Sequence, residues 1–462
     1  MKIKIININK MLALFLFSHL VIWTLVPSIS NDNLPLDTIE ALAWGSNMDW
    51  GFSKHPPLSA FVIEIFYQIF GSHDWAYYFL SQLFIVLTFF IVFKFSEDFF
   101  KKSIYSLISI LLLEGIFFYN FTSPEFNVNV CQLPFWALTV LYAWRGFKNN
   151  NSNDWLLLGV FAALGVLSKY IFIYLLIPLD IFFIYLLIKK EINFKWLIAF
   201  FTFLLVLLPH IVWLMENNYT TISYAFHRSV QINSSILNHF SYPLAFTAKQ
   251  IGILIPFFLM ALTLIAKFKF KFKINFKDKK LIFLLVVNIF PLILIFLTSL
   301  FLGSKIRTMW MTPFYLFMGV LIMYLIQNYI SLKKFKVFLI TFLTLFLLSP
   351  LIYLYISIAQ TDKRTDYPGK EISQVVESKW EENFINKIGV VSGDEWHGGN
   401  LSYHLSSRPK WDNILKSNSM TDFNNIQDGF VLIGDNDILI KICSEIFFIV
   451  EKKGVCMFGK SK

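Results

Sequence analysis

The run MLALFLFSHLVIWTLVPSISNDNLPLDTIEALAWGSNMDWGFSKHPP, Met11 to Pro57, joins two dissimilar halves. Residues 11–28 are apolar over the length needed to cross the hydrocarbon core of a bilayer. Residues 36–57 then place carboxylates, a lysine, a histidine and a Pro-Pro pair immediately outside it. A first span that opens into so polar a segment points to a membrane protein with its chemistry at the membrane edge.

Working outward, apolar runs of spanning length recur at 75–93, 104–120, 131–144, 155–168, 171–188, 196–215, 248–265, 281–302, 309–327 and 337–358, with a shorter one near 58–71. Hydrophobic residues make up 56% of the 462, charged residues 15%, and Phe alone accounts for 53. A soluble chain could not hide that much apolar surface, whereas lipid solvates it. The expectation is a polytopic α-helical membrane protein of about 11 to 13 transmembrane helices. Residues 11–28 resemble the core of a signal peptide but are long for one, so they are read as an uncleaved anchor.

A net charge of +10 could indicate nucleic acid, but the placement of the cations argues otherwise. With the N-terminus inside, the inner loops hold Lys2, Lys4, Lys10, Lys94, Lys101, Lys102, Arg145, Lys148, Lys189, Lys190, Lys195, Lys333, Lys334 and Lys336, besides the lysines of KFKFKFKINFKDKK (Lys267 to Lys280). The opposite loops hold only Lys54, Lys169, Arg228, Lys249, Lys305 and Arg307. This is the positive-inside asymmetry, so the surplus charge sets topology and no nucleic-acid partner is expected. The alternating KFKFKFK run reads as a strand or a stretch lying on anionic headgroups.

Composition changes at Thr361, dividing the chain into a membrane domain, 1–360, and a C-terminal domain, 361–462, on the outer side. KIGVVSGD and GFVLIGD read as buried strands, and FFIVEKKGVCMF as a hairpin around Lys452-Lys453-Gly454, giving a small α/β unit. Cys131 falls within a helix, while Cys443 and Cys456 are free to pair in an oxidising compartment.

The polar groups outside the spans converge on one face: the loop 29–74, FTSPEFNVN (121–129), Lys169 in LSKY, the segment from Glu216 to about residue 247, and GSKIRTMW (303–310). Asp37 and Glu40 are three apart and share a helix face, a spacing that equally suits a capping box. Glu125 sits at the mouth of another span, either as a reactive acid or as a solvated one. Lys169, in a turn between two apolar runs, either snorkels or holds an anion. Arg307, beside Lys305, calls for an anionic partner on the side where cations are disfavoured.

Cations without matching acids at a bilayer surface suit a lipid phosphate, which Arg and Lys bind through charge-assisted hydrogen bonds. A carboxylate beside them supplies a base for an acceptor, so the inventory fits glycosyl transfer from a polyprenyl phosphate. A transporter or lipid flippase would instead carry its ionisable groups near the midplane. A glycan polymerase or ligase would use external arginines without the Asp37-to-Pro57 constellation.

These motifs resemble the bacterial branch of the protein O-mannosyltransferase superfamily, family 39 with the GT-C fold, and particularly the aminoarabinose transferases of lipid A. The family's first external loop reads D-E-x-x-Y followed by D-W-G-Y-x-x-H-P-P; here Asp37, then Asp49-Trp50-Gly51 and Lys54-His55-Pro56-Pro57, fall at that spacing. The chain departs in reading Asp37-Thr38, with its second acid at Glu40, and in placing Lys54 before the histidine. PHIVWLMENNYTTISYAFHR, Trp310 to Pro313 and GDEWHGGNLSYHLSSRP are similar to further family segments.

The resemblance implies Asp37 and Glu125 as catalytic carboxylates. It implies Lys54, His55 and Lys169 as residues handling donor phosphate, and the charge placement adds Glu40, Arg228, Lys305 and Arg307 as further donor-phosphate or substrate residues. Asp394, Glu395, Trp396 and His397 are candidates for orienting an acceptor, beside a structural role. The implied activity is inverting transfer of a sugar, possibly aminated, in the bacterial inner membrane, with the active site facing the periplasm. The donor would be undecaprenyl-phosphate-linked and the acceptor lipid A or another envelope glycoconjugate, with Ser/Thr of proteins as the alternative. No cofactor is required by this reading and no metal ligand is assigned, though the acids leave room for a divalent cation.

Overall fold

Asn7 accepts the Lys10 amide at 3.1 Å and so starts α1, Ile8–Ser30. This computed structural model describes residues 7–229, 235–265, 275, 277–412 and 428–462. After α1 come α2 (Leu36–Gly45), α3 (Leu58–Phe70), α4 (Asp74–Ser96) and α5 (Ser103–Leu111). Two short 3-10 turns and the single-turn α6 (Val128–Cys131) lead to α7 (Leu133–Asn149), α8 (Ser152–Ser168) and α9 (Ile173–Ile188). The body continues through α10 (Leu197–Glu216), α11 (Thr220–Ser229), α12 (Asn238–Leu262), α13 (Lys279–Leu302), α14 (Met318–Ile326) and α15 (Phe335–Ala359).

Every one of the eleven apolar runs coincides with a helical segment. Among the described residues, seven helices are long and apolar enough to cross a membrane: Ile8–Ser30, Asp74–Ser96, Tyr170–Ile188, Phe194–Glu216, Asn238–Leu262, Lys279–Leu302 and Leu332–Ala359. An eighth crossing is made if Thr308–Tyr315 and Met318–Ile326, bent by 52° at their junction, are taken together. The remaining apolar helices are shorter, 13 residues in α3 and 17 in α8. Prolines lie inside five of the seven long helices besides α1, at Pro178, Pro209, Pro243, Pro256, Pro291 and Pro350. Such residues are tolerated in a bilayer because neighbouring helices re-satisfy the freed carbonyls. The alternating lysine run, residues 267–273, lies outside the described residues.

The C-terminal unit adds α16 (Gly369–Asn383), α17 (His397–His404) and α18 (Asn436–Ile442) to five strands. These are β1 (Ile388–Ser392), β2 (Lys410–Asp412), β3 (Gly429–Gly434), β4 (Ile446–Val450) and β5 (Lys453–Phe458), in the order β2-β1-β3-β5-β4. β1 is parallel to both β2 and β3, and β5 runs antiparallel to β3 and β4. The hairpin turn falls at Glu451 and Lys452, both at positive φ, just before the Lys452-Lys453-Gly454 centre read from the sequence. Cys443 and Cys456 form a disulfide, and Cys131 is a free, buried thiol.

This unit has its own core around Val376, Trp380, Val391, Val431 and Met457. It is seated on the loop after α1 through a small cluster of Ala43, Trp44, Phe52, Ala60 and Trp411. Polar contacts reinforce the seam. Arg408 donates to the Leu42 carbonyl at 2.8 Å and pairs with Glu64 at 2.5 Å. Asn47 donates to the Trp411 carbonyl at 2.6 Å, and Asn33 to Asn400 at 2.8 Å.

Candidate functional site

The Asp-Trp-Gly stretch is a docking device for the loop that follows it. His210 of α10 meets the Trp50 carbonyl at 2.6 Å, and Thr221 of α11 donates to the Phe52 carbonyl at 2.7 Å. Gly51 lies flat on Trp213: a Cβ there would stand 2.3 Å from the indole, so only glycine permits the approach. His210 is fixed in turn by the Tyr170 hydroxyl at 2.7 Å. The segment PHIVWLMENNYTTISYAFHR therefore holds the loop that presents Lys54 and His55.

Behind that loop, Pro35 occupies the N-cap of α2 and Asp37 falls in its first turn, with no side-chain capping bond. The capping-box reading is thereby overturned: Pro35, with its preset φ, already starts the helix. The Asp37 side chain is left to face a cavity of about 700 Å³. Glu40, Lys54, His55, Lys169, Arg228 and Arg307 line the same cavity, with Tyr170, Tyr174, Tyr224 and Trp310 supplying aromatic wall. Five stretches of the chain thus bring seven of the nine residues singled out to one space.

The other two stand apart from it. Glu125 does not line the cavity; it sits behind Asp37 and accepts that residue's backbone N–H at 3.0 Å. Lys305 is exposed and outside the lining, because the backbone between Gly303 and Arg307 turns its neighbour Ile306 inward instead. Sequence spacing gave Lys305 the same standing as Arg307, since alternation in an extended chain would put the two on one side, whereas adjacent Ile306 and Arg307 both line the cavity.

The cations are held differently. Lys169 is buried, donates to Asn129 at 2.6 Å and lies 5.4 Å from the Trp310 ring centre. It is a fixed interior group rather than a snorkelling one. Arg228 stacks on Tyr224 at 5.9 Å, and Arg307 is exposed at the cavity rim. Lys54 is paired with Glu40 and, at 3.2 Å, with Glu395 of the C-terminal unit. Asp394 is occupied otherwise, capping the turn into α17 and meeting His397 at 2.8 Å.

Burial pushes the Asp37 carboxyl up, opposed by Lys169, Lys54, Arg364 and Arg228. Burial also raises Glu125, and there the neighbouring Asp37 adds to the rise while no cation opposes it. Of these two acids Glu125 is therefore the one that keeps a proton, leaving the charge on Asp37. Glu40 is pushed up to about 7 by burial against the pull of Lys54, whereas Lys54 is itself raised by Glu40 and Glu395. The two shifts fit one description: Lys54 stays an ammonium between the two carboxyl groups, and Glu40 is its ion-pair partner above about pH 7. His55 is lowered to about 3 by burial and by Lys169, Lys54 and Arg228, which makes it a neutral imidazole. Lys169 is pulled down to about 7 by burial, with Asp37 holding it up. An incoming anion would favour the charged form of Lys169 further.

Among the described residues no group of three or more His, Cys, Asp or Glu stands close enough to hold a metal ion.

Comparison with known proteins follows the same outline. Residues 54–213 match the family model described as dolichyl-phosphate-mannose-protein mannosyltransferase. No curated protein matches the chain by sequence. Among solved structures, ArnT from Cupriavidus metallidurans bound to undecaprenyl phosphate superposes with a TM-score of 0.65 at 12% identity, over 97% of this chain and 98% of that one. The same protein in its apo state gives 0.60 at 10% identity with the same coverage. The chain is thus a multi-pass membrane protein with the GT-C glycosyltransferase fold of ArnT, and its match to the mannosyltransferase family lies in residues 54–213.

Proposed function

We propose that this chain transfers a sugar from a polyprenyl-phosphate donor to an envelope acceptor, with lipid A phosphate leading and an amino sugar as cargo. One observation carries the reading. Asp37 and four cations, Lys54, Lys169, Arg228 and Arg307, line a single cavity at the end of the helical body. ArnT from Cupriavidus metallidurans, whose fold this is, binds undecaprenyl phosphate, which supports the donor class.

In this mechanism the acceptor oxygen attacks the anomeric carbon from the face opposite the phosphate. The C1–O bond breaks, and its electron pair leaves on the polyprenyl phosphate with inversion at C1. The departing dianion needs positive charge rather than a proton, and Lys169 and Arg307 provide it in a partly dehydrated space. Asp37 takes the proton of a hydroxyl acceptor; for a phosphate acceptor, already ionised, it positions the nucleophile instead. His55, neutral, hydrogen-bonds the donor, and Pro56-Pro57 stiffen the loop that carries it. The cavity and the C-terminal unit then face the periplasm, and the chain sits in the inner membrane, as the lysine asymmetry favours.

The test is transfer in proteoliposomes from an undecaprenyl-phosphate-linked amino sugar to lipid A, with mass spectrometry of lipid A and membrane glycoproteins from a deletion strain beside it. Modified lipid A that disappears on deletion supports the reading. Unchanged lipid A and unchanged glycoproteins remove both acceptors.

A further inference from the structure

α9 turns a ridge of isoleucines outward. Ile173, Ile177, Ile181, Ile184 and Ile188 are all exposed, at spacings of three and four that align them on one helix face. At the centre of that ridge stands Asp180, also exposed. On α12 one strip of the outward surface, flanked by exposed Leu244, Ile251 and Ile255, is of the opposite kind. Ala245, Ala248 and Gly252 make it flat, and Lys249 projects between them. A Cβ added at Gly252 would meet nothing within 4 Å, so the space above this patch is open. Among the described residues neither Asp180 nor Lys249 has a hydrogen-bond or ion-pair partner.

Both charges therefore face lipid from inside spans where an unpaired carboxylate or ammonium is costly. Their depth also matches. α9 and α12 each pack against α13, which gives a common ruler. Tyr174 bonds Thr298, and His239 bonds the Leu300 carbonyl. Counting down α13 from those contacts puts Asp180 level with Leu292 and Lys249 level with Phe290, about 3 Å apart in depth at 1.5 Å per residue. The sequence alone had placed Lys249 in an outer loop; α12 begins at Asn238 and draws it a further three turns into the helix.

We propose that copies of this chain associate in the membrane through these two surfaces, with the isoleucine ridge of α9 on the small-residue face of α12 and Asp180 of one copy meeting Lys249 of the next. Equal depth is what a rotation about the membrane normal preserves, so a second copy satisfies both charges with no change of level. The ridge and the flat patch complement each other in shape as the two side chains do in charge, and close approach over Ala and Gly is the usual basis of packing between membrane helices. Because the two surfaces differ, the contact is head-to-tail and closes as a ring about that normal.

The experiment uses the full chain in nanodiscs made from its native membrane, with mass read by native mass spectrometry. Wild type is expected as an oligomer, with Asp180→Lys and Lys249→Asp each reducing its fraction at least tenfold. The double exchange, Asp180→Lys with Lys249→Asp, restores it. Asp180→Asn, nearly isosteric, guards against misfolding: it loses assembly while its melting temperature as a monomer is retained. Oxidation of Asp180→Cys mixed with Lys249→Cys gives a covalent pair of chains. A monomeric wild type, single variants that assemble as well as wild type, or a different membrane protein that co-purifies through Asp180 would each overturn the proposal.

Discussion

Two carboxyl groups that each meet a side-chain nitrogen stand in opposite settings in this molecule. Within the helical body, His19 of α1 and Glu114 meet at 2.7 Å with both side chains fully hidden, and Asn120 donates to the Glu114 carbonyl oxygen at 2.9 Å. At the cavity, Lys54 bridges Glu40 and Glu395 with 24%, 11% and 10% of each side chain exposed. The first pair has no room to exchange partners and ties α1 to the turn after α5. The second sits on the wall of a 700 Å³ space, where an arriving anion can compete for the same ammonium. Solvent access, not residue type, separates a fastening from a binding group.

The comparison can be broken from either end. The largest effect belongs to the cavity: Asp37→Asn should lower transfer by roughly 10²- to 10⁴-fold while leaving thermal stability in detergent unchanged. A variant that keeps its rate would return Asp37 to a structural role. Next, Glu114→Ala should destabilise the fold by about 1–3 kcal/mol, because it strands the buried ring nitrogen of His19, and should lower the melting temperature and yield. A Glu114→Ala protein as stable as wild type but inactive would reverse the assignment of the two clusters.

Smaller effects sharpen the exchange idea. Glu395→Gln removes one of two carboxylates holding Lys54, so donor KM should fall by a few-fold up to about tenfold, or about 1.4 kcal/mol at most, with kcat little changed. An increase in donor KM would mean that Glu395 orients Lys54 rather than competing for it. The smallest effect is in pH. Burial raises Glu40 to about 7, so it gains a proton below that value and loosens its hold on Lys54. Donor affinity should therefore decline as pH rises through about 7, where Lys169 also loses its charge, and Glu40→Gln should make that slope shallower without abolishing it. A slope of opposite sign would contradict the competition.

Much of this site was legible because its residues break local rules. Lys169 and Arg307 are cations in loops that the lysine asymmetry leaves poor in positive charge, and Asp37, Lys54 and His55 follow a span directly; each of these residues lines the cavity. The apolar runs were equally plain, since lipid solvation imposes long uniform segments. What stayed hidden depends on contacts between distant segments. Nothing near Glu395 announces its bond to Lys54, because the seam through Trp411 and Arg408 that brings the C-terminal unit onto α2 has no periodic signature. Glu125 was legible as an acid near the site but not as the group behind Asp37, and Lys305 could not be told from Arg307 without the three-dimensional path of residues 303–307. Gly51 was read as part of a motif, while its reason, the face of Trp213, is visible only in three dimensions.

The central claim is that fixed positive groups gather with Asp37 around a lipid-borne phosphate. Titration of undecaprenyl phosphate into nanodisc-embedded protein tests it most directly, comparing wild type with Lys169→Ala and Arg307→Ala. The account expects each substitution to weaken binding about tenfold or more, equivalent to about 1.4 kcal/mol or above. Equal affinity in all three proteins would contradict it.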